Sequence, residues 1–234
     1  RKLMPSIFSS GVTQINILVG TIIASFQTGA VSYLYYADRV YQINLAIAGI
    51  AVGTVSLPVL SKALKIKNLS KVSNIQNNSI ELSLLLSIPA SLGLIIASKE
   101  IVNALFGYGS FTPDDVSMTS EALKFFGFGI IAFALVKILA NFFFARDNTK
   151  TPFYISSFIV LLNLIISLSL FNRFGFLIIP IATSISTWVG VLIYLYLLFK
   201  RNFLLLQKKL FYNIFKIIIS SITMSLILIL LLKK

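Results

Sequence analysis

The chain has no cysteine and no histidine among its 234 residues, and only seven residues are acidic. These absences exclude disulfides and the usual zinc, iron and copper sites. Asp114 and Asp115 lack the further acidic residues that magnesium–phosphate chemistry needs, and no phosphate-binding glycine loop is present. We therefore predict that the chain has no catalytic centre and is not an enzyme.

Charge is also scarce. Only 12% of the residues are charged and 57% are hydrophobic, whereas about a quarter of the residues of a soluble domain are charged. The mean hydropathy of +0.94 indicates an integral membrane protein whose outer surface faces lipid. The net charge is +13, but the basic residues cluster between apolar runs, and we expect no nucleic-acid partner.

Seven stretches are long and apolar enough for a transmembrane helix, which needs about 20 residues to cross a core of about 30 Å. None of them alternates with the period of a strand. The predicted spans are approximately residues 5–27, 33–60, 80–106, 118–145, 151–171, 176–199 and 210–232. We therefore predict an all-α polytopic bundle without a soluble domain.

The connections carry further signals. In the stretch GYGSFTPDD, Thr112 is a predicted N-cap, Pro113 a first helical residue, and Asp114 and Asp115 lie where the helix dipole favours acids. The stretch KALKIKNLSK, residues 62–71, predicts a basic loop or a short surface helix. The stretch ARDNTKTP, residues 145–152, predicts a tight polar turn.

The basic residues also predict the orientation. With the amino end inside, 13 of the 20 basic residues lie at inner ends, whereas only Glu81 and Asp147 among the acids do. The positive-inside rule therefore favours a cytoplasmic amino end. Because the chain starts with Arg1 and Lys2 instead of Met, we expect it to be part of a longer protein.

Three charged residues lie within or against apolar spans: Asp38, Arg39 and Lys137. A charge at membrane depth costs about 2.5–3.5 kcal/mol on insertion scales, so such residues usually face a cavity or a partner. The alternatives are an interfacial Asp38–Arg39 pair among tyrosines and a snorkelling Lys137. Amides within spans, such as Asn163, more often hydrogen-bond to neighbouring helices.

Three blocks, SYLYYADRVYQINLAIAGIAVGTVSLPVLSK, LFGYGSFTPDD and LVKILANFFFARDNTKTP, resemble the MurJ (MviN) family of lipid II flippases. This family belongs to the superfamily of multidrug and oligosaccharidyl-lipid exporters. The resemblance covers essentially the whole chain and implies one lobe of a two-lobe, fourteen-helix transporter. Residues 1–234 would form helices seven to thirteen, without the N-terminal lobe and the last helix.

The resemblance also implies site residues. Arg39 matches a family arginine that projects into a cationic central cavity, where its planar donor fork would meet a diphosphate. Asp38 would orient Arg39 or moderate the charge of the cavity, and Lys137 matches a family lysine to which no substrate contact is assigned. Asn163 and Thr183 resemble two ligands of a sodium site found in some family members.

At that sodium site, Ser167 stands where a carboxylate occurs in the family. So little anionic oxygen would hold Na⁺ weakly, and we therefore expect neither a cofactor nor sodium coupling.

The implied activity is movement of lipid II from the cytoplasmic to the outer face of a bacterial inner membrane by alternating access. Its partners would be lipid II, membrane lipid and the N-terminal lobe of the same protein. One alternative is a flippase for another polyprenyl-diphosphate-linked polysaccharide, and a second is a non-transporting membrane scaffold. A third, an intramembrane transferase, would need an acidic metal site outside residues 1–234.

Overall fold

The computed structural model describes residues 17–232, in which the only regular elements are helices. A π-helical segment, Ala46–Ala51, joins α2 to α3, and a 3₁₀ turn, Gly175–Leu177, joins α7 to α8. The predicted all-α fold is confirmed. The α-helices are α1 (residues 17–24), α2 (Ala30–Leu45), α3 (Val52–Lys65), α4 (Leu69–Ile96), α5 (Ser98–Phe106), α6 (Pro113–Phe144), α7 (Lys150–Phe174), α8 (Ile178–Lys200) and α9 (Lys208–Leu232).

Within the described residues, five segments are long and apolar enough to cross a membrane. They are Ala30–Lys65, Leu69–Ile96, Pro113–Phe144, Lys150–Lys200 and Lys208–Leu232. The fourth has 51 residues, which at 1.5 Å per residue is about 75 Å and more than twice the membrane core. It is interrupted at Gly175, where φ is +59°, and α7 packs along α8. The segment therefore contains the predicted fifth and sixth spans, while most of the predicted first span lies outside the described residues.

The predicted limits of the third span were wrong. Helix α4 begins at Leu69 and ends at Ile96, and α5 is a separate helix. Residues 62–71 form neither the predicted basic loop nor a separate short surface helix, because α3 continues to Lys65 and α4 begins at Leu69. Lysine and leucine are good helix formers, and the chain turns only at Lys67, where φ is +57°. Asn68 then caps α4 by accepting a 2.9 Å hydrogen bond from the backbone N–H of Lys71.

The predicted start of α6 is confirmed. The Thr112 hydroxyl accepts a 3.2 Å hydrogen bond from the backbone N–H of Asp115, whose carboxylate accepts a 2.7 Å bond from the backbone N–H of Thr112. Pro113 is the first helical residue. This reciprocal arrangement is a capping box, with an acidic residue in the position of the usual glutamate.

Helix α6 is the centre of the bundle, because α2, α3, α4, α5 and α8 all pack against it. Its apolar contacts form two clusters, one around Phe142, Phe143 and Tyr194, and another around Ile130 and Phe176. The first cluster lies near the end of α6 that is followed by the polar turn at residues 145–152. The two clusters make α6 the common support of the neighbouring helices.

Polar contacts fasten the connection between α8 and α9 to the bundle. Side chains of α4 and Arg146 hydrogen-bond to the backbone carbonyls of Phe203 and Leu205. Asn77 also accepts a 3.0 Å bond from the backbone N–H of Gln207. This end of α9 is therefore fixed to α4 and α6.

Candidate functional site

Arg39 lies on the face of α2 that points away from the bundle. Ala37 is fully buried, and Tyr41 stacks on Phe126 of α6 with ring centroids 4.7 Å apart. Each of these two residues is two positions from Arg39, which places it about 160° from Arg39 around the helix axis. The Arg39 side chain is accordingly exposed. Arg39 is also nine residues from the start of α2, or about 14 Å along the helix, within the apolar segment Ala30–Lys65.

The guanidinium of Arg39 is held by an aromatic ring. Its Cζ lies 4.7 Å from the centroid of Tyr35, one turn earlier on α2. This is a cation–π contact, which covers one face of the guanidinium and leaves its N–H edges free. Such an arrangement can present a planar donor fork to an anion.

Asp38 does not form an ion pair with Arg39 among the described contacts. Its carboxylate is half-buried and accepts a hydrogen bond from Nε2 of Gln42. In this conformation Tyr35, and not Asp38, contacts the guanidinium. The role of Asp38 in orienting Arg39 therefore stays a prediction.

Lys137 is exposed on α6, between two packed faces of that helix. On one side, Asn141 donates a 2.8 Å hydrogen bond to the carbonyl of Gly53 on α3. On the other side, Val136 lies 4.0 Å from the position of a Cβ added to Gly190 on α8. Lys137 is seven residues, or about 10 Å, from the last residue of α6. The described contacts do not join it to Asp38 or Arg39.

The three residues of the predicted sodium site do lie together. Asn163 and Ser167 are buried on α7, and Asn163 donates a 2.8 Å hydrogen bond to the hydroxyl of Thr183 on α8. Ser167 donates a 3.0 Å bond to Oδ1 of Asn163, and Thr183 donates a 2.7 Å bond to the carbonyl of Ile179. This chain of bonds connects α7 to α8.

These contacts fit Na⁺ poorly. The Asn163 and Thr183 side-chain oxygens already accept hydrogen bonds, and no carboxylate belongs to the set. Within residues 17–232, no cluster of three or more His, Cys, Asp or Glu side chains could hold a metal. The arrangement is that of interhelical hydrogen bonds in a membrane protein.

Sequence reasoning missed the partners of the two charged residues on α2. Tyr35 is four residues before Arg39, and Gln42 is four residues after Asp38. Residues at this spacing are neighbours on a helix surface, so the spacing was the signal that could have identified both contacts. Adjacent residues such as Asp38 and Arg39 point in directions about 100° apart on a helix and are therefore less suited to contact each other.

The sequence of the chain is similar to those of known proteins over most of its length. The family model described as "Lipid II flippase MurJ" matches residues 1–234. The chain is 41% identical over 190 residues to the probable lipid II flippase MurJ of Rhizobium meliloti (strain 1021), covering 81% of the chain and 36% of the relative. It is 42% identical over 193 residues to the probable lipid II flippase MurJ of Rickettsia prowazekii (strain Madrid E), covering 82% and 38%. The chain thus spans less than half the length of these relatives.

Solved structures agree with the sequence matches. A structure of lipid II flippase MurJ in an inward closed conformation has a TM-score of 0.84 at 29% identity, over 97% of this chain and 47% of that one. An outward-facing multidrug resistance MATE family transporter of the MOP superfamily has a TM-score of 0.74 at 18% identity, over 95% of this chain and 52% of that one, and supports the fold alone. The chain is a multi-pass membrane protein that belongs to the lipid II flippase MurJ family.

Proposed function

We propose that this chain acts as the C-terminal lobe of a flippase that carries lipid II from the cytoplasmic to the outer face of a bacterial inner membrane. The observation that carries the proposal is Arg39, which is exposed on α2 within the apolar segment Ala30–Lys65 and held by Tyr35. A cation that faces lipid within such a span is costly. That cost is offset if Arg39 faces a polar cavity between two lobes and meets an anionic headgroup there.

The diphosphate of lipid II suits this arginine. With its face on Tyr35, the guanidinium can donate from its N–H edges to two phosphate oxygens at once. Among the described contacts, no carboxylate forms an ion pair with Arg39. The substrate therefore does not have to displace an internal partner before it binds.

Transport by alternating access needs two bodies that move against each other. This lobe has the features of one such body, because α2, α3, α4, α5 and α8 share α6 as a support. The second body would be the N-terminal lobe of the same protein. We therefore expect residues 1–234 alone not to flip lipid, and robust flipping by this fragment in liposomes would contradict the two-body mechanism unless the fragment dimerises.

The test uses the full-length protein in a bacterial strain depleted of its own lipid II flippase. We expect Arg39→Ala to abolish complementation and Arg39→Lys to impair it, because lysine keeps the charge and loses the donor fork. The matched control is Arg173→Ala, which removes an exposed arginine near the end of α7 whose Cζ lies 5.7 Å from the Phe174 centroid. Complementation by Arg173→Ala should persist.

Full complementation by Arg39→Ala at normal membrane abundance would contradict the proposal. Flipping assays in proteoliposomes with lipid II and with other polyprenyl-diphosphate glycans separate the remaining alternatives. Preference for another glycan would identify a related flippase. Binding of lipid-linked sugar without flipping of any substrate would identify a scaffold.

A further inference from the structure

A cleft of about 400 Å³ lies between α5 and the start of α6. It is at the end of the bundle opposite the basic α3–α4 turn, which is the outer side in the predicted orientation. A volume of this size lies within the range of small-ligand sites. The lining residues are Lys99, Glu100, Asn103, Gly107, Phe111, Pro113 and Val116.

The cleft presents both signs of charge. Lys99, Glu100 and Asn103 are exposed, and among the described contacts neither Lys99 nor Glu100 has a hydrogen bond or an ion pair. The buried Val116 and the exposed Pro113 add an apolar surface. Glu100 disfavours a simple anion and Lys99 disfavours a simple cation, so the lining favours a ligand that carries an amine, a carboxylate and small apolar groups.

One wall of the cleft is connected to the helix that bears Arg39. The Phe111 ring lines the cleft and packs against Tyr36 of α2, with centroids 5.3 Å apart. Phe106 completes the contact, 4.8 Å from Tyr36. Tyr36 is three residues from Arg39, or about 4.5 Å along α2. The cleft is therefore connected through Phe111 and Tyr36 to the helix that carries the proposed diphosphate contact.

We propose that this cleft binds the peptide part of the exported headgroup after it reaches the outer side, with Lys99 contacting a peptide carboxylate and Glu100 the peptide amine. This inference rests on the proposed function, because lipid II supplies such a peptide. Asn103, one turn after Lys99, can donate to or accept from the peptide backbone. The cleft would thereby hold the headgroup while the diphosphate leaves Arg39.

The experiment measures binding of a soluble pentapeptide to the purified full-length protein in detergent. The probe is Ala-Glu-Lys-Ala-Ala with a γ-linked glutamate and an acetylated N-terminus, used with its lysine side-chain amine free or acetylated. We expect Glu100→Gln to raise Kd by roughly three- to tenfold, as loss of a charge-assisted hydrogen bond does. Acetylation should raise Kd equally in the unaltered protein and have no further effect in Glu100→Gln.

The matched controls are Glu121→Gln and Lys124→Gln, which remove exposed charges of α6 that do not line the cleft. Lys99→Gln should raise Kd as Glu100→Gln does, whereas the controls should change it less than twofold. Unchanged melting temperatures would show that all four variants are folded. No binding by the unaltered protein, equal losses in the controls, or additive effects of acetylation and Glu100→Gln would overturn the proposal.

Flipping assays keep the two proposals distinguishable. If the unaltered protein flips lipid II but does not bind the peptide, only the cleft proposal fails. If it flips no polyprenyl-diphosphate glycan at all, the proposed function itself fails.

Discussion

The side-chain amide of Asn141 on α6 donates a 2.8 Å hydrogen bond to the backbone carbonyl of Gly53 on α3. A Cβ added to Gly53 would lie only 2.9 Å from Nδ2 of Asn141, so the glycine provides the space that the amide occupies. The contact comes directly after the π-helical segment Ala46–Ala51. It fixes α3 against the central helix at the point where the backbone hydrogen-bonding pattern changes.

Enlarging Gly53 should therefore destabilise the protein. We expect Gly53→Ala to lower the free energy of unfolding by about 1–3 kcal/mol, because the added methyl group displaces Asn141. Asn141→Leu should cost about 0.5–1.5 kcal/mol, the range of interhelical hydrogen bonds in membranes. The double variant should lose less than the sum, because both changes remove one contact. The measurement is unfolding of the full-length protein in detergent.

Gly93→Ala is the control for this series. Gly93 also lies within a helix, but nothing is within 4 Å of a Cβ added there. Its replacement should leave stability unchanged or improve it, because alanine favours helix. Equal destabilisation by Gly93→Ala and Gly53→Ala would contradict the role of the Asn141 contact.

The ring of Tyr35 should matter for transport, and its hydroxyl should not. Tyr35→Phe keeps the ring under the Arg39 guanidinium and should flip lipid II at the normal rate. Tyr35→Leu removes a contact worth about 0.5–1 kcal/mol, and we expect a rate loss of about two- to fivefold. Tyr154→Leu is the control, since Tyr154 is an exposed tyrosine for which no cation–π contact is described. Proteoliposome flipping rates that are equal for all three variants would refute this prediction.

Gly175 should not tolerate a side chain. Its φ and ψ of +59° and −147° lie in a region that is essentially restricted to glycine. A Cβ would also lie 2.7 Å from Oε1 of Gln27, which accepts a 2.9 Å hydrogen bond from the backbone N–H of Phe176. We expect Gly175→Ala to reduce the unfolding free energy by about 1–3 kcal/mol.

Combining Gln27→Ala with Gly175→Ala in the full-length protein separates the backbone strain from the steric contact. Gln27→Ala removes the steric contact but not the backbone strain. The double variant should therefore remain less stable than Gln27→Ala alone. Full recovery in a detergent melting experiment would show that the side-chain contact, and not the backbone, restricts this position.

Membrane potential should affect flipping more than a sodium gradient does. Lipid II brings roughly two negative charges, and outward movement across an inside-negative membrane releases about 2.3 kcal/mol per charge per 100 mV, or about 4–5 kcal/mol for both. The Asn163–Thr183 contact offers Na⁺ no carboxylate. The measurement is flipping by the full-length protein in proteoliposomes with potential and sodium set independently. Activity that follows sodium and ignores a valinomycin-imposed potential would contradict the prediction.

Features that depend on neighbouring residues could be predicted from the sequence. The capping box of Thr112 and Asp115 needs only a four-residue pattern, and most spans follow from continuous apolar runs. The start of α4 could not be predicted from hydropathy, because Ser73, Gln76 and Asn77 are polar. Their burial depends on hydrogen bonds to backbone carbonyls more than 120 residues away.

In the candidate site, too, some features could be predicted from the sequence and others could not. The resemblance brought Asn163, Ser167 and Thr183 into one predicted group, and the structure joins them by hydrogen bonds. The π-helical segment had no sequence signal. Gly49 within this segment packs closely on α6, since a Cβ added there would lie 3.1 Å from Cα of Ala134.

The π-helical segment also determines the phase of α2 relative to α3. Such a segment accommodates one residue more than a regular α-helix, and one residue is a rotation of about 100°. If the same residues formed a regular α-helix while α3 stayed on α6, every residue of α2 would move into the position of its predecessor. Arg39 would then occupy the place of Asp38, which is half-buried. The π-helical segment, two turns away along the chain, thus keeps this arginine on the exposed side of α2.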